Sequence, residues 1–101
     1  MLRARVITGI NARIVNNLSI LYARQCRYDD ALDVGLETME EAVLLNNVGY
    51  ISLLNRDYSA AISFLERAME SSPSYNLTAA NNLMRAKKAV GKKSKMVPSA
   101  C

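Results

Sequence analysis

Apolar and small residues recur along this chain at helical spacing. Val15, Leu18 and Tyr22 stand at i, i+3 and i+7, and Leu45, Val48 and Ser52 repeat that spacing one unit later. Each set therefore lies along one face of an α-helix, and both faces are predicted to point into a common core. Asp29 and Asp30 follow the turn and open the second helix of the first unit, because carboxylates suit the unpaired N–H groups and positive dipole end of a helix start. Ser59 is expected to play a weaker version of that part, and Pro73 to end the second hairpin because its ring cannot continue a helix. Ala31 and Ala61 are small where two helices of a hairpin should cross closely, with Ser19 and Gly49 answering from the opposite helix.

These helices come in two similar copies. The first reads NNLSILYARQCRYDDALDVGL from Asn16 and the second NNVGYISLLNRDYSAAISFLERA from Asn46, with a third start at Asn81-Asn82-Leu83. The steps between starts are 30 and 35 residues, which bracket the period of about 34 known for one class of helical repeat. On Leu45, Val48, Gly49, Tyr58, Ala61, Leu65, Ala68 and Pro73 the chain resembles the tetratricopeptide repeat family, over about Asn11 to Val90. That resemblance implies an all-α fold of antiparallel hairpins stacked as a short right-handed superhelix, about two repeats plus a capping helix. Residues 1–90 would form the repeat domain, and residues 91–101 a basic, disordered tail. The first copy departs from the pattern at Gly35 and Thr38. A glycine inside a helix costs about 1 kcal/mol relative to alanine, so its second helix is expected to be short and soft. A narrower stretch, Ser72-Pro73-Ser74-Tyr75-Asn76-Leu77-Thr78-Ala79-Ala80-Asn81-Asn82-Leu83 with the asparagine pairs, is similar to the last repeats of tight-adherence (Flp-type) pilus assembly tetratricopeptide lipoproteins. It implies a place in pilus or secretion machinery, periplasmic or associated with an outer membrane.

Composition narrows the function. The 101 residues suffice for one core. No apolar run approaches the roughly 18 residues of a membrane span, and Met1–Ile10 lacks the apolar stretch of a secretory signal. Histidine is absent, which removes the commonest general base and metal ligand together. Without a phosphate loop or zinc spacing either, the chain is read as no enzyme, with no cofactor, metal or small-molecule substrate. Cys26 and Cys101 are the only cysteines. Two do not make a disulfide framework, so both are expected as free thiols, with an intermolecular bridge through Cys101 as the alternative.

The net charge of +4 is segregated. Met1–Arg27 has five arginines and no acid, Tyr28–Glu41 six acids and no base, and Arg85–Lys95 six bases and no acid. The last block reads either as a solvated helix end that suits the dipole or as an attractor for an acidic partner, nucleic acid or an anionic membrane. It has no aromatic residue to stack on bases, so nucleic-acid binding would be purely electrostatic.

The family resemblance also implies a concave groove lined by the first helix of each hairpin. Carried onto this chain it implies Arg13, Asn16, Asn17, Ile20 and Arg24, then Asn46, Asn47, Tyr50, Leu53 and Leu54, then Asn81, Asn82, Arg85 and Lys88 as protein-binding positions. Asparagine amides can both donate to and accept from a peptide backbone, while the basic residues suit an acidic segment. For the first asparagine of each pair, grip and packing are both open; for the second, a structural role is favoured. The function expected is a scaffold or adaptor that holds a partner segment. Self-association through an end face around Leu2, Val6, Ile7 and Ile10 is a further expectation, since two repeats are few for a stable stack.

Overall fold

A computed structural model describes residues 9–72, 76–91 and 101, with the side chains of Gly9, Ile10 and Asn76 left aside. The described residues form five α-helices and no strand: α1 Gly9–Arg24, α2 Tyr28–Gly35, α3 Glu41–Leu54, α4 Tyr58–Ser71 and α5 Asn76–Gly91. Three-residue turns join α1 to α2 and α3 to α4, which folds each pair into a hairpin. The chain is all-α, and none of its described helices is long and apolar enough to cross a membrane. Its radius of gyration of 14.1 Å and its extents of 48 × 29 × 19 Å exceed the compactness of a sphere-like domain of this length, about 13 Å, as expected for helices set side by side.

α3 is the centre. It packs on α1, α2, α4 and α5 and buries Ala42, Leu44, Leu45, Val48, Gly49 and Ser52. Toward the first hairpin, Leu44 and Val48 join Ala23 and Ala31. Toward the other side, Leu45 meets Ala68 and Ala79, while Ala61, Leu65 and Ala86 close the stack between α4 and α5. Phe64 and Leu32 touch both the first and the second of these clusters and so join them. The alanines are completely buried, and their size is what lets the backbones approach. A Cβ added at Gly49 would lie 2.7 Å from Leu65 Cγ and 3.3 Å from the Leu65 backbone nitrogen. Ser19 serves from α1 as expected, its hydroxyl donating to the Ala31 carbonyl at 2.8 Å.

The two hairpin turns are copies of one another at a 30-residue offset. Cys26 and Arg56 adopt left-handed φ values of 67° and 63°. Around them Cys26 N–H donates to Ala23 O and Arg27 N–H to Tyr22 O, and Arg56 N–H to Leu53 O and Asp57 N–H to Ser52 O. This is the paired bonding of a Schellman cap, which satisfies the last carbonyls of α1 and α3. A left-handed conformation at a non-glycine residue costs about 1 kcal/mol or more, so the turn is held by its surroundings. Asn55 donates to Ala23 O at 3.0 Å and to the Tyr28 hydroxyl at 3.3 Å, and that hydroxyl donates to the Asp57 carboxylate at 3.1 Å. Burial raises the Tyr28 pKa above its ordinary value, against hydrogen bonds from Asn55 and Ser52 that lower it and with the Asp57 carboxylate adding to the rise. The hydroxyl thus stays protonated and able to donate.

Several expectations are corrected. Cys26 and Cys101 are not free thiols but a disulfide within one chain, with Cα atoms 5.7 Å apart; the left-handed turn and the return of the chain end bring together residues 75 positions apart, which no local pattern reveals. The part of the basic tail at residues 92–100 lies outside the described residues, as do Leu2, Val6, Ile7 and Pro73, while Gly91 still belongs to α5. Asp57, rather than Ser59, caps α4, its side chain accepting from the Ala60 N–H. Leu18 is 37% exposed instead of core-facing, because the crossing of α1 with α2 is made by Ser19 and Ala23. α2 is short, eight residues against fourteen in α4, as expected, but Gly35 at its end has a steric role of its own: it is buried where a Cβ would collide with Leu44 and Ser19.

Two measurements follow. Gly49→Ala should lower the unfolding free energy by about 1 kcal/mol in thermal melts, since overpacking of about 1–3 kcal/mol exceeds the helix-propensity gain of about 1 kcal/mol; a stabilised variant would contradict the close approach to Leu65. The purified oxidised chain should carry no maleimide-reactive thiol, and reduction should cost about 2–4 kcal/mol of stability in urea titrations, the range for a bond that closes a long loop.

Candidate functional site: a groove between the first helices

The same offset of 30 residues that relates the turns also relates the exposed faces of α1 and α3. On α1, Arg13, Asn17, Ile20 and Arg24 stand at spacings of four, three and four, and all are exposed. Their counterparts on α3 are Val43, Asn47, Tyr50 and Leu54. Where the two stripes meet, Ile20 and Arg24 from α1, Asn47, Tyr50, Ile51 and Leu54 from α3, and Asn55 from the following turn line an open groove of about 530 Å³. Its walls are mainly apolar, with Ile20 38% and Leu54 58% exposed. A single cation, Arg24, and two amides, Asn47 and Asn55, supply polarity, and the lining contains no acid. Beyond Tyr50 the Arg85 guanidinium of α5 sits over the phenol ring, 5.5 Å from its centroid. Such stacking places a second positive charge beside the groove and stiffens the ring.

Five of the fourteen residues expected from the repeat thus line the groove: Ile20, Arg24, Asn47, Tyr50 and Leu54. Arg85 touches its flank, and Arg13 and Asn17 continue the α1 stripe away from it. Asn81 and Lys88 are exposed on α5 and do not reach it.

Four expected residues, Asn16, Asn46, Leu53 and Asn82, are turned to structural work. Asn46 is 5% exposed and accepts a hydrogen bond from Asn82 at 3.1 Å, which joins α3 to α5. Asn16 accepts from the Thr38 hydroxyl and ties α1 to the segment after α2. Leu53 packs against the Ala61–Leu65–Ala86 cluster instead of the groove. The reason is angular: a residue next to a groove residue lies about 100° round the helix, which here is the packed side. In the first two units the first asparagine of each pair therefore takes the packing side of its two open readings, while the second, favoured as structural, lies toward solvent at Asn17 and beside the groove at Asn47. Asn16 and Asn46 make tertiary hydrogen bonds, whereas Asn17 is exposed and Asn47, which donates to Met39 Sδ at 3.5 Å, borders the groove.

Sequence reasoning missed Ile51 and Asn55. Asn55 carries no sequence signal, since its partner Ala23 lies 32 residues away. The position of Leu53 was legible, because its counterpart thirty residues earlier is the alanine at position 23, whose smallness marks a packed site.

Comparison with known proteins finds no matching family model, no matching curated protein and no matching solved structure.

The two asparagines should separate in a stability measurement. Asn46→Ala leaves the Asn82 amide unpaired in the α3–α5 contact and should cost about 1–3 kcal/mol, whereas Asn47→Ala should stay within about 0.5 kcal/mol of wild type. Equal costs in chemical denaturation would mean that the pair is not divided in this way.

Proposed function

We propose that this chain is a tetratricopeptide-like repeat module, its hairpins stacked as a short right-handed superhelix, and that it works by holding a segment of another protein in the groove between α1 and α3. One observation carries the reading: repeat-equivalent residues of successive first helices, Ile20 with Tyr50 and Arg24 with Leu54, converge on one open groove instead of being spent on the core. A rigid aromatic flanked by aliphatic side chains is the usual anchor of a protein interface. Arg24 within the groove and Arg85 beside it, with no acid in the lining, favour an acidic segment. The resemblance to pilus assembly lipoproteins supplies the pathway proposed, assembly of an envelope-spanning machine. The Cys26–Cys101 disulfide supports that placement, since such bonds persist in oxidising compartments.

The test is a cross-linking capture from the cells that make the protein, with wild type beside a variant carrying Asn47→Ala, Tyr50→Ala and Leu54→Ala. All three side chains lie outside the buried core, so helicity should be unchanged, and Asn46 is left intact. Binding of the captured partner, remeasured with purified components, should weaken at least about tenfold, or 1.4 kcal/mol. Retention by this variant, with loss when Lys92, Lys93 and Lys95 are changed to glutamate, would move the function to the basic segment and its electrostatic ligands. Charge reversal is preferable to truncation here, because removing the chain end would also remove the disulfide.

A further inference from the structure

α1 has a second exposed stripe, distinct from the one that enters the groove. Asn11, Ile14, Leu18, Leu21 and Gln25 follow one another at spacings of three, four, three and four. This is the seam of a helix that pairs with another helix at a shallow crossing angle. Ile14 is 60%, Leu18 37% and Leu21 50% exposed.

The repeat says what such a face is for. Thirty residues later the same positions are Leu44, Val48 and Ile51. There Leu44 and Val48 are 0% and 1% exposed, and with Ile51 they pack against the helix pair of the first hairpin. α1 therefore presents to solvent the face that α3 buries. Burying an aliphatic side chain is worth about 1.5–3 kcal/mol when complete, so three left open in a row favour a partner helix.

We infer that this stripe is a self-association seam, and that its occupant is α1 of a second copy of the chain. The choice of occupant rests on the charge pattern. In a chain whose first 27 residues hold five arginines, none of the five stripe positions is charged. The centre is aliphatic and both ends are amides. Two such stripes run antiparallel set Asn11 of one copy near Gln25 of the other, and aliphatic residues against aliphatic residues. That is the self-matching an isologous two-fold contact requires. Arg13 lies on the groove side of α1 and off the seam, so the helices approach without opposing cations at their centre. A docking face for an acidic protein would instead carry its bases on the stripe.

The seam is small. α1 has sixteen residues, about 24 Å of helix, and a single helix pair falls at the low end of interface sizes, below about 1,200 Å². The dimer is accordingly a weak one that forms in the micromolar range, and it leaves the groove between α1 and α3 open.

Sedimentation velocity on the oxidised full chain, from low to high micromolar, reads this directly. The weight-average mass should climb from monomer toward dimer. Leu18→Glu and, separately, Leu21→Glu should raise the dissociation constant at least tenfold. Both side chains are exposed in the monomer, so far-UV circular dichroism should be unchanged; Ile14→Lys provides a third variant should either lose helicity. A mass that stays monomeric throughout the range overturns the inference, as does self-association that all folded variants retain. A dimer that appears as a covalent band on a non-reducing gel overturns it too. None of these outcomes bears on groove binding, which the Asn47, Tyr50 and Leu54 variant tests by itself.

Discussion

Everything in this molecule depends on one helix packed from several sides. α3 has no solvent-facing polar half of the kind a surface helix carries; its apolar residues run round most of its circumference because α1, α2, α4 and α5 all contact it. Such enclosure is possible only if the neighbours come close, and closeness is set by side-chain size. Ala23 and Ala31 face α3 from one side, Ala61, Ala68, Ala79 and Ala86 build the contacts on the other, and Gly49 lets Leu65 approach the α3 backbone. The core contains few large side chains. Its stability comes from tight interlocking of small ones, in which a single added methyl group is felt.

Tight packing leaves little space for unsatisfied polar atoms, and the described residues respect that limit. Ser19, Ser52 and Asn46 are buried, and each makes a hydrogen bond, to Ala31 O, to Val48 O and from Asn82 respectively. The junction of the two hairpin turns does the same on a larger scale. Asn55 reaches across to the end of α1, Tyr28 reaches back to Asp57, and the Cys26–Cys101 bond fixes the chain end beside them, with Cys101 Sγ 3.2 Å from the Tyr28 hydroxyl. The left-handed turns, each costly alone, are held in place by this network.

The candidate groove is a by-product of the same geometry. When helices of successive hairpins lie side by side, each has one face for its own hairpin partner, one for the next hairpin and one left over. On α1 and α3 the leftover faces adjoin, and the residues there, an isoleucine and an arginine beside a tyrosine and a leucine, are larger and stickier than solvent exposure alone would favour. α1 differs from α3 in having a further face uncovered, since no described element packs where the first hairpin packs on α3. The groove and the proposed seam thus use two different faces of α1.

The sequence by itself determined the helices, the repeat and the small-residue crossings, because these follow from local spacing: Tyr28 and Tyr58, Ala31 and Ala61, and the asparagine pairs mark equivalent places without any knowledge of contacts. The family resemblance also pointed to Ile20, Arg24, Asn47, Tyr50 and Leu54, which the structure brings together along one groove. What only the tertiary structure decided was orientation within about 100° and every link between distant residues. Whether Asn46 or Asn47 faces the groove depends on where α5 packs, and that is fixed by Ala68, Ala79 and Ala86 far along the chain. Gly35 reads as a helix weakness until Leu44 is seen against it. Cys26 and Cys101 read as lone thiols until a left-handed turn brings one to the other. Spacing encodes which residues share a face, but the occupant of that face is set by the sum of all the packing.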